Sequence, residues 1–289
     1  MLRIYCKNTG TFKEFQEGST LLDMIPEFDF ERPYEIISAK VNNVSQGLKF
    51  RVFNNRDVEF LDYRTYAGRN VYCRSLCFLL CKAAQDLFPG CKVVIRRPIS
   101  KGYFCRLDKP GGESMHRDDI AAIRERMLQL VAADTPFRRH EVQATEAISL
   151  FRGLGMPDKV KLLETCGEVY VSYYPLEGFA DYYCGALVPS TGYLKIWSLE
   201  PYHGGMLLRV PDRHHPENLA PFYEQPKTFD VFAESIKWNR IMGLDNVGDV
   251  NLACLGGKAS DLIQVAEALQ EKKIVQIAEE IDTRHNSPD

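Results

Sequence analysis

Arg74 and Phe78 stand four residues apart in the run YRTYAGRNVYCRSLCFLLCKAAQDLFPG (63–90), a spacing that places both on one face of a helix. The guanidinium is a planar donor fork suited to phosphate or carboxylate, and the phenyl ring is a stacking surface for a base. Tyr103 and Arg106 in KGYFCRLD add a second ring and a second fork, while Asp181, Tyr183 and Cys184 in EGFADYYCGALVPS add a carboxylate, a phenol and a thiol. His203 lies in PYHGGMLLRV, where Gly204 and Gly205 allow close backbone approach. These eight residues are the expected lining of a binding cleft for an anionic or aromatic ligand. No catalytic residue and no metal ligand is assigned among them. A plainer reading stands beside this one: Phe78 simply fills a core, and His203 is structural.

Other patterns carry less. Cys73, Cys77 and Cys81 recur every four residues along one helical face, which suits buried thiols better than a metal site, because the first and third lie two turns apart. His214-His215 before Pro216 reads as an exposed loop pair. Arg96, Arg97, Lys101 and Arg106 form a basic cluster that could touch an RNA backbone, although a solvated charged face is the commoner explanation. Leu255-Gly256-Gly257-Lys258-Ala259-Ser260 suggests a phosphate loop. Lys258, however, is followed by Ala259, and Leu252 occupies the place of the first glycine. A helix start near Ser260 or Asp261 fits better.

The chain of 289 residues suggests about two domains. Its 45% hydrophobic and 26% charged content are ordinary for a globular protein. A net charge of −3 and a pI near 6.1 argue against a protein that coats nucleic acid. No run approaches the roughly 18 apolar residues of a membrane span, and MLRIYCKNTG lacks the apolar stretch of a signal peptide. Nine cysteines without a paired Cys-x-x-Cys fit free thiols in a reducing compartment. A cytoplasmic location is therefore expected, with no membrane partner.

These residues need three kinds of element to position them. Residues 1–62 hold short β-like runs (LRIYCK, TFKEF, EIISAKVN, RDVEFLD). Asn8-Thr9-Gly10 turns the first pair, and Ser19 or Thr20 caps a short helix at LLDMI. Two strands, a helix and further strands in so short a stretch predict a β-grasp fold. Residues 63–211 predict a helix over 69–88 whose apolar face comprises Val71, Leu76, Leu79, Leu80, Ala83, Ala84 and Leu87. Pro89-Gly90 stops it, and CKVVI follows as a strand. A second helix carries Ile120, Ile123, Met127 and Leu130 at helical spacing, with Asp118 and Asp119 at its dipole-favoured start. Residues 212–289 predict a proline-rich connector, two helices (TFDVFAESIKWNRIMGL and 260–282) and an exposed terminal IDTRHNSPD. The expected class is α+β: a β-grasp domain, a two-layer α/β domain and a helical linker.

Particular segments resemble a known family. GSTLLDM and AKVNN resemble the TGS domain of threonyl-tRNA synthetases. The helix running into LFP, the KGYF strand, the RERM turn, PFRRHEV and GMPDKV resemble the editing domain that follows it there, a module shared with alanyl-type editing proteins. That resemblance runs through the stretch without large gaps. It implies a hydrolytic metal site built from His-x-x-x-His on the helix and Cys-x-x-x-His within F-x-D-x-C-R-G-P-H-V-P. Here Phe179, Asp181, Gly185, Val188 and Pro189 match that segment, whereas the four ligand positions hold Arg74, Phe78, Tyr183 and Leu187. Guanidinium, phenyl and isobutyl groups cannot ligate zinc, and no residue remains to activate water.

LVPSTGYL, EPYHGG and GKASDLIQVAEALQEKKI resemble the stretch ahead of the P-loop in bifunctional uridine (nucleoside) kinases. That resemblance implies an N-terminal accessory or regulatory module. Its partner would be an attached C-terminal kinase domain, and ATP and Mg would belong to that domain and not to this chain. A nucleotide or RNA ligand in the cleft, and an oligomer, are further expectations. Two alternatives stay open: an aminoacyl-tRNA editing hydrolase using Cys184 or His203, and an oligomerisation scaffold.

Overall fold

The computed structural model describes residues 1–286. The protein is mixed α+β. Strands β1 (Leu2–Cys6) and β2 (Thr11–Phe15) form a hairpin, turned at Gly10 with φ +69°, a conformation that glycine adopts without a Cβ clash. Helix α1 (Leu21–Met24) is fixed by a reciprocal cap. The Thr20 hydroxyl accepts from the Asp23 N–H at 3.2 Å, and the Asp23 carboxylate accepts from the Thr20 N–H at 3.0 Å. Strands β3 (Ser38–Val41) and β4 (Val44–Gln46) flank Asn42-Asn43, both left-handed, and β5 (Arg56–Leu61) completes the sheet. Its order is β2-β1-β5-β3-β4, with β1 and β5 parallel and the other pairs antiparallel, which is the expected β-grasp. Alternation along β1 sends Leu2, Ile4 and Cys6 into a core shared with Leu21, Met24, Phe28 and Val58.

The long helix α2 (Tyr66–Leu87) follows at once. Thr65 caps it, accepting from the Gly68 N–H at 3.1 Å. All the expected apolar positions of α2 are buried except Leu87, which is 39% exposed in the last turn. Strands β6 (Lys92–Ile99) and β7 (Gly102–Asp108) come next, and β6 runs past CKVVI through Pro98 by a register shift between Ile95 and Pro98. Proline is tolerated there because β6 is an edge strand. Helix α3 (Arg117–Ala132) buries Ile120, Ile123, Met127 and Leu130, as its periodicity requires. The chain continues through β8 (His140–Gln143), α4 (Ala144–Gly153), α5 (Pro157–Cys166), β9 (Tyr170–Leu176), β10 (Phe179–Tyr182), β11 (Ser198–Tyr202) and β12 (Gly205–Arg209). A four-stranded sheet has the order β11-β12-β7-β6, and a three-stranded sheet the order β10-β9-β8. Helices α2 and α3 pack on each other and on the four-stranded sheet.

Three helices close the described chain: α6 (Pro226–Ile241), α7 (Val247–Leu255) and α8 (Ala259–His285). Helix α7 is an element the sequence pattern did not suggest. Helix α8 begins one residue after Lys258, so the Gly256-Gly257-Lys258 run is a helix start. It also continues through His285, further than the 282 expected, because Ile281 to His285 keep helical hydrogen bonding. Residues 287–289 of the expected terminal linker lie outside the described residues. No helix among the described residues is long and apolar enough to cross a membrane.

The chain divides into two compact units. One comprises residues 1–141 and 172–225, the other 142–171 and 226 onward. The first unit is thus discontinuous in sequence, interrupted by α4 and α5. In the second, α5 packs on α4 and on α7. The Lys161 ammonium meets the Asp249 carboxylate at 2.5 Å, and the Asn251 amide donates to the Thr165 hydroxyl at 3.0 Å.

Candidate functional site

Helix α2 and the loop after β10 bring together the four positions at which the resembled family carries ligands. Both segments belong to the first unit. Arg74 is half-buried, and its Nη1 donates to the Ala186 carbonyl at 2.7 Å. Gly185 lets the guanidinium approach; a Cβ there would stand 2.7 Å from Arg74 Nη1. One turn further along α2, Phe78 is completely buried. Its ring meets Phe137 at 5.4 Å, Phe179 at 5.2 Å and Tyr183 at 5.9 Å between centroids, the spacing of favourable edge and tilted aromatic pairs. Leu187 is 4% exposed. Phe78 and Tyr183 thus pack as a plug, with Leu187 buried and Arg74 hydrogen-bonded at the other two positions.

Hydrogen bonds clamp that loop. The Val188 N–H donates to the Ser75 hydroxyl at 2.9 Å, and Ser75 in turn donates to the Val71 carbonyl at 2.7 Å, the i−4 position of its own helix. The Tyr174 phenol donates to the Gly185 carbonyl at 3.2 Å. Asp181 is buried at 5% exposure and accepts from the Tyr182 N–H at 2.7 Å. Burial pushes the Tyr183 phenol well above its ordinary pKa, and the neighbouring Asp181 carboxylate pushes it the same way. Tyr183 is therefore held as a neutral phenol in this packing.

The remaining candidates lie elsewhere. Tyr103, on β7, joins Tyr63, Arg69 and Cys73 in a buried polar cluster. Burial raises the Tyr103 and Tyr63 phenols and the Cys73 thiol, and Tyr63 donates to the Pro211 carbonyl at 3.0 Å. Arg106 forms a two-pronged pair with Asp108 on its own strand, at 2.6 and 2.9 Å. Cys184 is exposed, and its thiol donates to the Tyr182 hydroxyl at 3.3 Å. His203 is exposed on the turn between β11 and β12 at φ +40°, its ring 4.4 Å from Tyr202. Of the basic cluster, Lys101 pairs with Asp212 at 3.7 Å, and the Arg97 side chain lies outside the described residues. Cys73 and Cys77 are buried and Cys81 is half-buried; burial pushes the Cys77 thiol well up, so this face packs as inert thiol.

Zinc needs three or four nitrogen, sulfur or carboxylate donors converging at about 2.0–2.3 Å. Among the described residues no group of three or more His, Cys, Asp or Glu is placed to hold a metal ion. The donors at the four ligand positions are chemically wrong for zinc, since two are hydrocarbon, one is a permanent cation and one is a protonated phenol. The zinc that the resemblance implies does not fit this site.

Comparison with known proteins places the chain near one enzyme family. It is 27% identical over 186 residues to the threonine–tRNA ligase of Parabacteroides distasonis, covering 64% of this chain and 28% of the ligase. It is 30% identical over 196 residues to that of Syntrophomonas wolfei, covering 68% and 30%. With that of Marinobacter nauticus it shares 29% identity over 198 residues, covering 68% and 30%. The chain spans less than a third of the length of these relatives. No family model matches it. The chain is thus similar to the N-terminal, editing-type region of threonyl-tRNA synthetases. None of the three relatives is a kinase.

Proposed function

We propose that this chain is an editing-type module that no longer hydrolyses, serving as the N-terminal accessory and regulatory region of a uridine (nucleoside) kinase. The observation that carries the loss of hydrolysis is the plug: Phe78, fully buried and in contact with three rings, fills the position of a ligand histidine. Its neighbour Arg74 donates from Nη1 to the Ala186 carbonyl. Neither group can hold a metal-bound water or take a proton from one.

Support for the kinase context is narrower. It rests on the resemblance of the motif GKASDLIQVAEALQEKKI to the segment preceding a kinase P-loop; that motif opens α8. In this reading the phosphoryl transfer, ATP and Mg belong to a separate P-loop domain. The parent is expected to phosphorylate uridine, and the coding sequence that follows is expected to hold a strand ending in G-x-x-x-x-G-K-[ST].

A second reading, an aminoacyl-tRNA editing hydrolase, is favoured by the similarity to threonine–tRNA ligases. One experiment separates the two: zinc content and seryl-tRNA deacylation measured together on the purified, untagged chain. The plug predicts no stoichiometric zinc and no turnover above buffer. Zinc at one per chain with turnover would select the hydrolase and reject the plug as the working state.

A further inference from the structure

A pocket of about 270 Å³ lies within the first unit, between the loop after β4, the segment entering β8 and the loop after β10. Its floor is aromatic and apolar: Phe137 and Tyr174, with Leu187 and Val188 beside them. Phe137 is the ring that also packs edge-on against Phe78, so the group that completes the plug floors this second cavity. Its charged lining is entirely basic, namely Lys49, Arg138 and Arg139, with no aspartate or glutamate among the lining residues. The volume falls just below the roughly 300–1,000 Å³ typical of ligand pockets.

The cations here are under-compensated. Lys49 Nζ donates to the Phe137 carbonyl at 3.2 Å, which holds the ammonium at the pocket. Burial, and then the Arg138 charge, lower the Lys49 pKa from its ordinary value. Asp134, which acts in the opposite sense, already accepts from the Ser190 hydroxyl and the Gly192 N–H. Arg139 has Glu141 at 3.6 Å, whereas Arg138 has no ion pair among the described residues. Two cations that repel above an aromatic floor would both be relieved by an anion that carries a ring.

We propose that this pocket binds a mononucleotide, with its base against the part-exposed Phe50 ring above the buried Phe137–Tyr174 floor and its phosphate between Lys49 and Arg138. The site shares Leu187 with the plug and the Phe137 ring with its surroundings, and it does not depend on the kinase assignment. The same chemistry occurs at the terminal residue of an RNA, but the small volume favours a free nucleotide.

The test is calorimetric titration of the full chain with UMP, UTP, AMP and ATP, beside uridine, orthophosphate and a hairpin RNA with a single-stranded 3′ end. At least one nucleotide is expected to bind one per chain and at least about tenfold more tightly than uridine or orthophosphate. Lys49→Ala and Arg138→Ala are each expected to weaken it about tenfold, and Arg138→Lys to recover part of the loss. On the unaltered chain, the bound nucleotide is expected to shield Arg138 from phenylglyoxal, read by peptide mass spectrometry, which removes any dependence on the folding of variants. The proposal is overturned if none of the four nucleotides saturates, if both variants bind as the parent does, or if Arg138 is not shielded. Binding of the hairpin where free nucleotides fail would overturn it too, in favour of RNA.

Discussion

Phe78 concentrates the energetic argument at the scale of single residues. A phenyl ring in contact with three others and sealed from solvent contributes both transfer and packing energy. Phe78→Ala is expected to destabilise the protein by about 3–5 kcal/mol, read as a lower midpoint in urea unfolding with little change in slope. A loss below about 1 kcal/mol would mean that the plug is loose and the old cleft open. The family resemblance, read residue by residue, put Arg74, Phe78, Tyr183 and Leu187 at the four expected ligand positions. It did not show that Arg74 turns onto the Ala186 carbonyl, since that contact joins positions 112 residues apart. Nor did it reveal the Lys49–Arg138 pocket: Lys49 sits on the loop after β4 and Arg138 just before β8, and no motif links them.

Among the elements, the joint before α2 is the most tightly specified. A Cβ on Gly68 would stand 2.0 Å from the Asp62 carbonyl oxygen and 2.9 Å from Thr65 Oγ1, so backbone itself blocks any side chain. Gly68→Ala is expected to cost roughly 1–3 kcal/mol despite alanine's better helix propensity, checked by thermal unfolding; a stabilised variant would contradict the geometry. A different element depends on pH. The Asp249 carboxylate is held below its ordinary pKa first by the Lys161 ammonium, and also by the backbone N–H groups at the start of α7. Lys161 is raised by the same hydrogen bond. A depressed carboxylate stabilises fully above its unfolded pKa of about 3.9 and loses that contribution as pH falls through its lower folded value. The raised lysine contributes below about 10.4 and loses it as pH rises through its folded value. Amide exchange in α7 is therefore expected to accelerate below about pH 4 beyond its intrinsic pH dependence, and Asp249→Asn is expected to remove that acid step. Helix α2 was legible because 22 residues of apolar periodicity end at Phe-Pro-Gly. Helix α7 was not, because nine residues with a glycine at the second position carry too little pattern; its one local sign was the Asn246–Asp249 cap.

At the scale of the whole molecule, the two units differ in how much apolar surface they leave in water. The strands of the first unit leave few large hydrophobics exposed, Phe12 and Val44 among them, whereas α8 exposes Ile274 at 58%, Ile277 at 47% and Ile281 at 62%, spaced along one helical face. Replacing these three by lysine is expected to lower binding of the dye ANS and to leave the melting temperature within about 2 °C; a larger fall would mean that they are packed. The discontinuity of the first unit was the least legible property of all, since no composition shift marks residue 142 or 172, and only packing between distant segments defines the division. It has a consequence for biosynthesis. Helix α5 ends at Cys166, and α7, against which it packs, begins about eighty residues later at Val247. At translation rates of about 5–20 residues per second, α5 spends roughly 4–16 s outside the ribosome before that partner exists. In that interval β9 to β12 are made while the face of α5 that meets α7 stays uncovered, which is the window in which a chaperone would find it.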